Sequence, residues 1–594
     1  MRKLVSSNET NCTGCNRCMR ACPVDGANIG YEQDGEVKVR IDDQKCIVCG
    51  SCIAACKHNC RDFEDDTEQF LRDLKNGVQI SLFAAPAYRT QGGGNDVTQG
   101  GRLLTWLKKL GVKKIYDVSL GADICTWGHI RYIQKHHPKT LITQPCPAIV
   151  NYILIHKQEL LKYLSPVQSP MLCTAIYMKK YCGVNDKIAA ISPCIAKTHE
   201  FESTGYVHYN VTMKRLYEYI ERNNITLPSE STPFDHPEAE LGRLYSMPGG
   251  LKETVEFYLG KAFRIDQSEG PAVVYEDLAE FAKQKESSLP VVFDVLNCRE
   301  GCNIGTGCAH ENRNRFESAT VMEKQRQAVV DANGKEETER VYDEYDKTLR
   351  LEDFIRRYTP VSTRILNCSP AQIENAYMEL GKDDEEKRHI DCSACGCDTC
   401  YNMAQQIALG LNIPQNCVYK TRLDIYKSHE ILFGIQNESL KDIKLLLNDM
   451  TEIKNRSNDI VELIIVVTEA IEQYTKMSRD IDFISSNINI IAVNASIEAA
   501  RAGIHGKSFA IIADEVRNLA GKSQKTVAQT SEISEHASKS VTSINGKIST
   551  ISEEIMNAYD EILRVYNNIK QIVKVKPGDL ELLESDELRE KLFK

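Results

Sequence analysis

Apolar and polar positions follow different rhythms along this 594-residue chain, and each rhythm predicts a different architecture. Through the first 75 positions cysteines, not apolar residues, set the punctuation, until the charged stretch Thr67 to Asn76, which reads as a helix leading out. Next, short apolar runs such as Val78-Gln79-Ile80-Ser81-Leu82-Phe83 alternate with amphipathic stretches such as Gly101 to Leu110, the strand and helix alternation of an α/β fold. Tyr342 to Tyr358 is predicted as a charged, helical close to that section. From about Gln436 aromatics, prolines and glycines thin out, and apolar residues fall into steps of three and four. Ile460, Leu463, Val467 and Ala470 begin one such series and Phe509, Ala513, Val516 and Ala520 another, which runs to Ile572. A mean step of 3.5 held this long predicts a left-handed coiled coil. Between the two series stands Ala502-Gly503-Ile504-His505-Gly506, whose glycines suit a tight reversal. The expectation is an antiparallel hairpin with arms of about 68 residues, on the order of 100 Å long.

Length alone requires several cores. The expected divisions are 1–75, 76–365, 366–425, 426–575 and a short tail, 576–594, beyond Pro577-Gly578. A net charge of −10 argues against nucleic acid as partner, because phosphate backbones need a basic face. Nowhere do eighteen apolar residues follow one another, so no membrane span and a cytoplasmic location are expected. In that compartment 23 cysteines are better explained as metal ligands than as disulfides.

The first eight cysteines form Cys12-x-x-Cys15-x-x-Cys18-x-x-x-Cys22-Pro23 and Cys46-x-x-Cys49-x-x-Cys52-x-x-x-Cys56. This double run resembles the bacterial two-cluster ferredoxins, in which the fourth cysteine of each motif ligates the other cluster. The resemblance implies one 4Fe-4S cluster on Cys12, Cys15, Cys18 and Cys56 and a second on Cys46, Cys49, Cys52 and Cys22. A pair of zinc knuckles is the alternative, and the doubled triple spacing speaks against it.

Three further pieces stand apart in sequence: Cys146 in Thr-Gln-Pro-Cys-Pro, Cys194 in Ser-Pro-Cys-Ile-Ala-Lys, and Cys298-Arg299-Glu300-Gly301-Cys302. A Cys-x-x-x-Cys pair alone says little, but the order and neighbours of all three resemble the signatures of FeFe hydrogenases over residues 76 to 365. The resemblance implies an H-cluster: a 4Fe-4S cubane on Cys146, Cys194, Cys298 and Cys302, with Cys302 bridging to a di-iron unit that carries carbon monoxide and cyanide ligands. Soft thiolates suit iron-sulfur chemistry. Lys197 matches the lysine that donates to a cyanide of the di-iron unit, Pro86 and Ala87 the segment lining its pocket, Gly121-Ala122-Asp123 its next wall, and Ser246-Met247-Pro248-Gly249-Gly250 a glycine-rich turn.

The departures bear on function. Pro145 stands where catalytic members carry a proton-donating cysteine, and Ile124-Cys125-Thr126-Trp127-Gly128-His129 replaces the acidic relay region. Positioned acid and base groups are worth orders of magnitude in rate, so their loss predicts slow turnover. Ser192 and Leu296 replace pocket methionines and are expected to alter polarity around the di-iron unit. Cys125 and His129 are either a substitute proton route or plain structural residues. A last motif, Cys392-x-x-Cys395-Gly-Cys397-Asp-Thr-Cys400 with Cys417 beyond, resembles a small 4Fe-4S domain and implies ligation by Cys392, Cys395, Cys400 and Cys417. Cys397 could replace one of these, and a zinc site is the other reading. The remaining seven, Cys60, Cys125, Cys173, Cys182, Cys308, Cys368 and Cys397, are taken as structural thiols.

Around the reversal, Asn494 to Gly503 and Gly506 to Ala520 closely resemble the signalling tip of bacterial chemoreceptors. This implies hairpins pairing in a homodimeric four-helix bundle, with a chemotaxis histidine kinase and its coupling protein bound at Glu498, Arg501, Phe509, Glu515 and Val516. The whole is thus expected to be a multidomain α+β and α/β chain: ferredoxin domain, α/β H-cluster domain, small mostly helical 4Fe-4S domain, and rod. The order suggests a cytoplasmic sensory hydrogenase that reads dihydrogen or redox state and depends on di-iron maturation proteins. The alternatives are a slow catalytic hydrogenase exchanging electrons with ferredoxin, and an iron-sulfur scaffold that never receives a di-iron unit.

Overall fold

The computed structural model describes residues 2–91, 99–143, 146–236, 241–260, 263–309, 315–332, 335–362 and 367–573. These fall into two compact units, Met1–Thr421 and Arg422–Lys594. Pro145 and the expected tail, 576–594, lie outside the described residues.

The first unit opens with strand Val5–Ser7 paired antiparallel to Arg61–Phe63, and with the hairpin Asn28–Gln33 and Glu36–Ile41. The helix expected over Thr67 to Asn76 is present as Thr67–Lys75. Then come two parallel sheets. One orders its strands Ile115–Asp117, Ile80–Ala84, Lys187–Ser192 and Tyr209–Thr212; the other orders Ile265–Glu269, Val292–Leu296 and Leu141–Ile142. Strands Ile80–Ala84 and Val292–Leu296 are buried at every position, the pattern of strands covered on both faces. Helix Gln99–Lys109 falls where the amphipathic stretch predicted it.

The close of this section differs from the expectation of one helix from Tyr342 to Tyr358. Helix Lys335–Thr348 stops, and a short 3-10 turn, Leu351–Phe354, follows. The cause is packing: Phe354 is buried edge-on to Trp127 and stacked on Tyr181, which pulls the chain out of the helix. A small helical segment completes the unit, with Pro370–Glu379 started by a capping box at Ser369 and Gln372, and Cys400–Ala408 packed against it. It joins the first strands directly: Asn16 donates to the Asn416 side chain at 2.9 Å, and the Gly30 N–H to the Leu411 carbonyl at 3.1 Å.

The helical hairpin has a longer first arm than the periodicity implied. Helix Val418–Arg501 runs 84 residues and helix Lys507–Ile572 runs 66, joined by a 3-10 turn, Gly503–Gly506. The first turns were hidden because residues 418–435 lack steady steps of three and four, yet they hold no proline and a single glycine, Gly434, so the helix runs through them. Within the hairpin the buried positions near the reversal are mostly small and seven apart, Ser478, Ser485, Ala492 and Ala499 on one arm and Ala513, Ala520, Val527 and Ser534 on the other, while Ile548 and Ile555 are buried farther along. The large apolar residues of the heptads point outward in the single chain, Leu463 at 63 % and Ile491 at 64 % exposure.

Candidate metal centres

Four sets of thiols are gathered in the first unit. Around the double cysteine run, Cys18 feels the charges of Cys12 and Cys15, while Cys52 feels Cys49, Cys46 and Cys22. Cys22 thus lies near Cys46, Cys49 and Cys52. The Cys56 sulfur accepts from the backbone N–H groups of His58, Cys60 and Arg61; these bonds outweigh its burial and lower its pKa. Cys60, taken as a bystander, sits beside Cys12 and Cys56.

The second centre draws on the ends of parallel strands, where an open sheet offers its loops. Cys146 caps helix Pro147–His156 after strand Leu141–Ile142, Cys194 follows strand Lys187–Ser192, Cys298 follows strand Val292–Leu296, and Cys302 lies in the 3-10 turn Gly301–Ile304. All four come together: Cys298 feels Cys146, Cys194 and Cys302. As bare thiols they resist ionisation. Burial first and neighbouring thiolate charge second push Cys194 up to about 12, and Cys302 follows the same order, with Lys197 pulling it back.

Beside Cys302 lies a cavity of about 50 Å³ walled in part by Pro86, Ala87, Ala122, Lys197, Tyr245 and Ser246. The residues expected to line a di-iron pocket thus meet there. Lys197 is buried, with its Nζ 2.6 Å from Glu200 and 3.1 Å from Ser169. Ser192 and Leu296 are not among the described wall residues. Ser192 instead accepts from the Cys194 N–H at 3.2 Å and donates to Asn210, so it shapes the ligand loop.

A short contact joins the first two regions. Cys49 feels the charge of Cys146, Thr306 donates to the Cys49 carbonyl at 3.2 Å, and Tyr275 stands within the fields of Cys49, Cys146, Cys298 and Cys22. Tyr275 donates to Asn297 at 2.7 Å. In the small segment, Cys395, Cys400 and Cys417 surround Lys382, while Cys392 is exposed. Cys397 bonds to Cys395 but otherwise faces Met403, Asn412 and Asp25. That placement puts it beside Cys395.

Buried cations distinguish these sets, and the cysteine spacing did not reveal two of them. Arg61 is buried, donates to Cys18 at 3.5 Å and also bonds Ser7, Asn28 and the Val39 carbonyl. Lys197 faces Cys194 and Cys302, and Lys382 faces the third set. A buried cation is expensive without a matching anion. For Lys197 the Glu200 carboxylate at 2.6 Å is that anion; for Arg61 and Lys382 the thiolates of iron-sulfur clusters would supply it, so those two donor sets fit the groups. Among the described residues no three His, Cys, Asp or Glu are grouped on a single ion. A cubane takes one thiolate at each iron, so its ligands need not converge on one point.

Deeper on helix Val118–His136 lies a polar chain. The Cys125 sulfur is 3.6 Å from His129 Nδ1, and His129 Nε2 is 3.0 Å from Ser165 Oγ. Burial opposes charge on both, yet bonds from Cys173, His129 and Tyr245 bring Cys125 down, and the Cys125 charge raises His129. Tyr245 links this pair to the cavity wall and bonds Thr126 at 2.5 Å.

The tip residues Glu498, Arg501, Phe509, Glu515 and Val516 cluster about the reversal. Phe509 is exposed, and Arg501 pairs with Glu498 at 3.3 Å.

One thiol set at the ends of parallel strands, with two further cysteine-rich regions beside it, gives the first unit the layout of an iron-sulfur protein with a hydrogenase-like fold. Residues 78–306 match the family described as iron only hydrogenase large subunit, C-terminal domain; residues 4–57 match the 4Fe-4S dicluster domain; residues 435–577 match the methyl-accepting chemotaxis protein signalling domain. The chain therefore joins an iron-only hydrogenase segment, a dicluster segment and a chemotaxis-type signalling segment in one polypeptide. It is 25 % identical over 294 residues to iron hydrogenase 1 of Clostridium pasteurianum, covering 42 % of this chain and 50 % of that one. It is also 36 % identical over 58 residues to NADH-quinone oxidoreductase subunit I 2 of Symbiobacterium thermophilum, 9 % of this chain and 24 % of that one. The chain thus spans at most about half the length of these curated relatives. A variant of the FeFe-hydrogenase HydA1 from Chlamydomonas reinhardtii superposes at a TM-score of 0.38 and 15 % identity, covering 49 % of this chain and 98 % of that one. Among the described residues no helix is long and apolar enough to cross a membrane.

Proposed function

We propose that this chain is a cytoplasmic sensor of dihydrogen, or of the redox state it sets, reporting to a chemotaxis-type histidine kinase and its coupling protein. One observation carries the reading. A dicluster segment and a hydrogenase segment are followed by a third thiol set whose last member, Cys417, is succeeded at once by the helix Val418–Arg501 that enters the signalling segment.

In this reading Cys12, Cys15, Cys18 and Cys56 hold one 4Fe-4S cluster, Cys22, Cys46, Cys49 and Cys52 a second, and Cys392, Cys395, Cys400 and Cys417 a third. Cys146, Cys194, Cys298 and Cys302 would hold the cubane of an H-cluster, with Cys302 on the side of the cavity that would take the di-iron unit. A di-iron unit with carbon monoxide and cyanide ligands, delivered by maturation proteins, supplies the dihydrogen chemistry when bound. Lys197, positioned by Glu200 and Ser169, presents an ammonium to that unit, while Pro86 and Ala87 close its pocket. Pro145 has no proton to give, which limits turnover. Cys146 adjoins Cys49 beside Tyr275, so a cubane held by the first of these would have a dicluster ligand as its neighbour for electron exchange. Cluster charge biases the rod only as far as its two states differ in affinity for the two redox states. The outward heptad residues pair two hairpins in a homodimer, and Glu498, Arg501, Phe509, Glu515 and Val516 meet the kinase assembly.

Infrared spectra of the matured chain under dihydrogen and under inert gas, beside a kinase assay with the coupling protein, test this. Shifted carbon monoxide and cyanide bands with altered phosphorylation are expected. Bands that never appear after maturation sink it.

A second reading, slow hydrogenase turnover with ferredoxin, is favoured by the Cys125, His129 and Ser165 chain that reaches the cavity through Tyr245. Slow but sustained gas evolution from reduced ferredoxin by the matured chain, lost in Cys125→Ala, would establish it.

A further inference from the structure

A fully buried ammonium stands at the base of the long helix. Lys382 is 1 % exposed. Its Nζ donates to the Lys387 carbonyl at 2.6 Å and to the Cys400 sulfur, and lies 4.4 Å over the ring of Tyr419. These partners are a carbonyl, a thiol and an aromatic face, none with a full negative charge. The nearby carboxylates Asp383 and Asp384 are both engaged by Lys387, at 2.6 and 2.7 Å. Burying a cation in such company is unfavourable unless an anion is added, and the sulfurs of Cys395, Cys400 and Cys417 are what its charge reaches.

Cys417 is also the N-cap of helix Val418–Arg501. Its backbone is extended, φ −81 and ψ 113, its carbonyl accepts the Thr421 N–H at 2.9 Å, and its sulfur accepts from the N–H groups of Tyr419 and Lys420. Capping is ordinarily done by the oxygen of Ser, Thr, Asp or Asn. Here a candidate cluster ligand takes that place, and the ring of Tyr419, in the same turn, lies under the ammonium.

We infer that Lys382 and the Cys417 cap form a joint through which the helix reads the charge of the cluster on Cys392, Cys395, Cys400 and Cys417. The inference rests on that segment holding a 4Fe-4S cluster. Lys382 favours the reduced cluster, because a fixed cation stabilises the added electron. That electron leaves a cluster of the dicluster segment, which is oxidised by one as this one is reduced by one; no proton moves and no bond breaks. The reduced sulfur is a stronger acceptor, and the partial positive charge of the helix N-terminus holds it more tightly. Lys382 is thus a positioning residue for the redox centre, and the first helical turn is its readout.

The test uses the full chain loaded with iron and sulfide but without the di-iron unit. A redox titration followed by electron paramagnetic resonance gives the midpoint potential of this cluster, and hydrogen exchange gives the protection of amides 419–421 in both states. In the wild type these amides should exchange about two- to fivefold more slowly when the cluster is reduced. Lys382→Met should lower the midpoint potential, and Lys382→Arg should restore it. Lys382→Gln serves as a second neutral variant if the methionine chain does not hold iron, and the wild-type exchange comparison needs no variant. An unchanged potential in the neutral variants, or equal exchange in both wild-type states, overturns the joint. Absence of any iron-sulfur signal from this segment overturns the ligand assignment beneath it. Neither readout involves dihydrogen or the kinase, so their failure leaves the infrared test of the sensor intact.

Discussion

Individual charges carry much of the chemistry in the first unit. Arg61, Lys197 and Lys382 are each buried against thiols, and two of the three lie outside any motif. Replacing Arg61 by Met removes the cation beside Cys18 along with bonds to Ser7, Asn28 and Val39. On the proposed ligand assignment that variant should lose iron from the Cys12, Cys15, Cys18 and Cys56 set while retaining the other proposed centres, measured by iron content and cluster spectra. Asp294 offers a pH test. Burial first, with bonds from Lys252 and Thr143 opposing, raises its carboxyl from 3.8 to about 6. The folded chain therefore holds this proton more tightly than the unfolded one. Its contribution is fully present below pH 3.8 and is lost as pH rises through about 6, a swing of about 3 kcal/mol. Asp294→Asn should be more stable than the wild type above pH 6, the gap closing toward pH 4, in denaturation midpoints across that range.

At the scale of elements, small residues decide how the hairpin closes. The seam of Ser478, Ser485, Ala492 and Ala499 allows close approach of the arms, so Ser485→Leu overpacks it at about 1–3 kcal/mol. Faster amide exchange in both arms around 485 and 520 is the expected sign. The reversal has its own constraint. Gly503 adopts φ +61, and a Cβ on Gly506 would stand 2.0 Å from the Ala499 carbonyl oxygen. Gly506→Val should fray the tip and, in the proposed function, weaken kinase coupling while any cluster spectra of the first unit stay unchanged.

For the whole molecule, the large apolar heptad residues exposed on a single hairpin set the expectation of a partner. Leu463, Ile484, Ile488 and Ile491 all point outward. Ile488→Asp should shift the chain from dimer toward monomer in sedimentation, with iron content unchanged. The same variant should uncouple kinase response from redox state if paired hairpins carry the signal.

Cysteine spacing pointed to the candidate thiol sets before any coordinates, because a cluster demands a particular ligand type and number, and the doubled run from Cys12 to Cys56 offers eight thiols at the spacing of two clusters that exchange their fourth ligands. The strand and helix alternation and the heptads were equally legible, since both are periodicities of neighbouring residues. What stayed hidden depends on residues far apart in the chain. Burial of Phe354 against Trp127 ends a helix that charge patterning would extend, and serines in the hairpin seam look polar until a second arm covers them. Lys382, Arg61 and Tyr275 look like any surface lysine, arginine or tyrosine in a linear string. Only tertiary packing removes their water and turns each toward sulfur, because desolvation and charge pairing are properties of a neighbourhood.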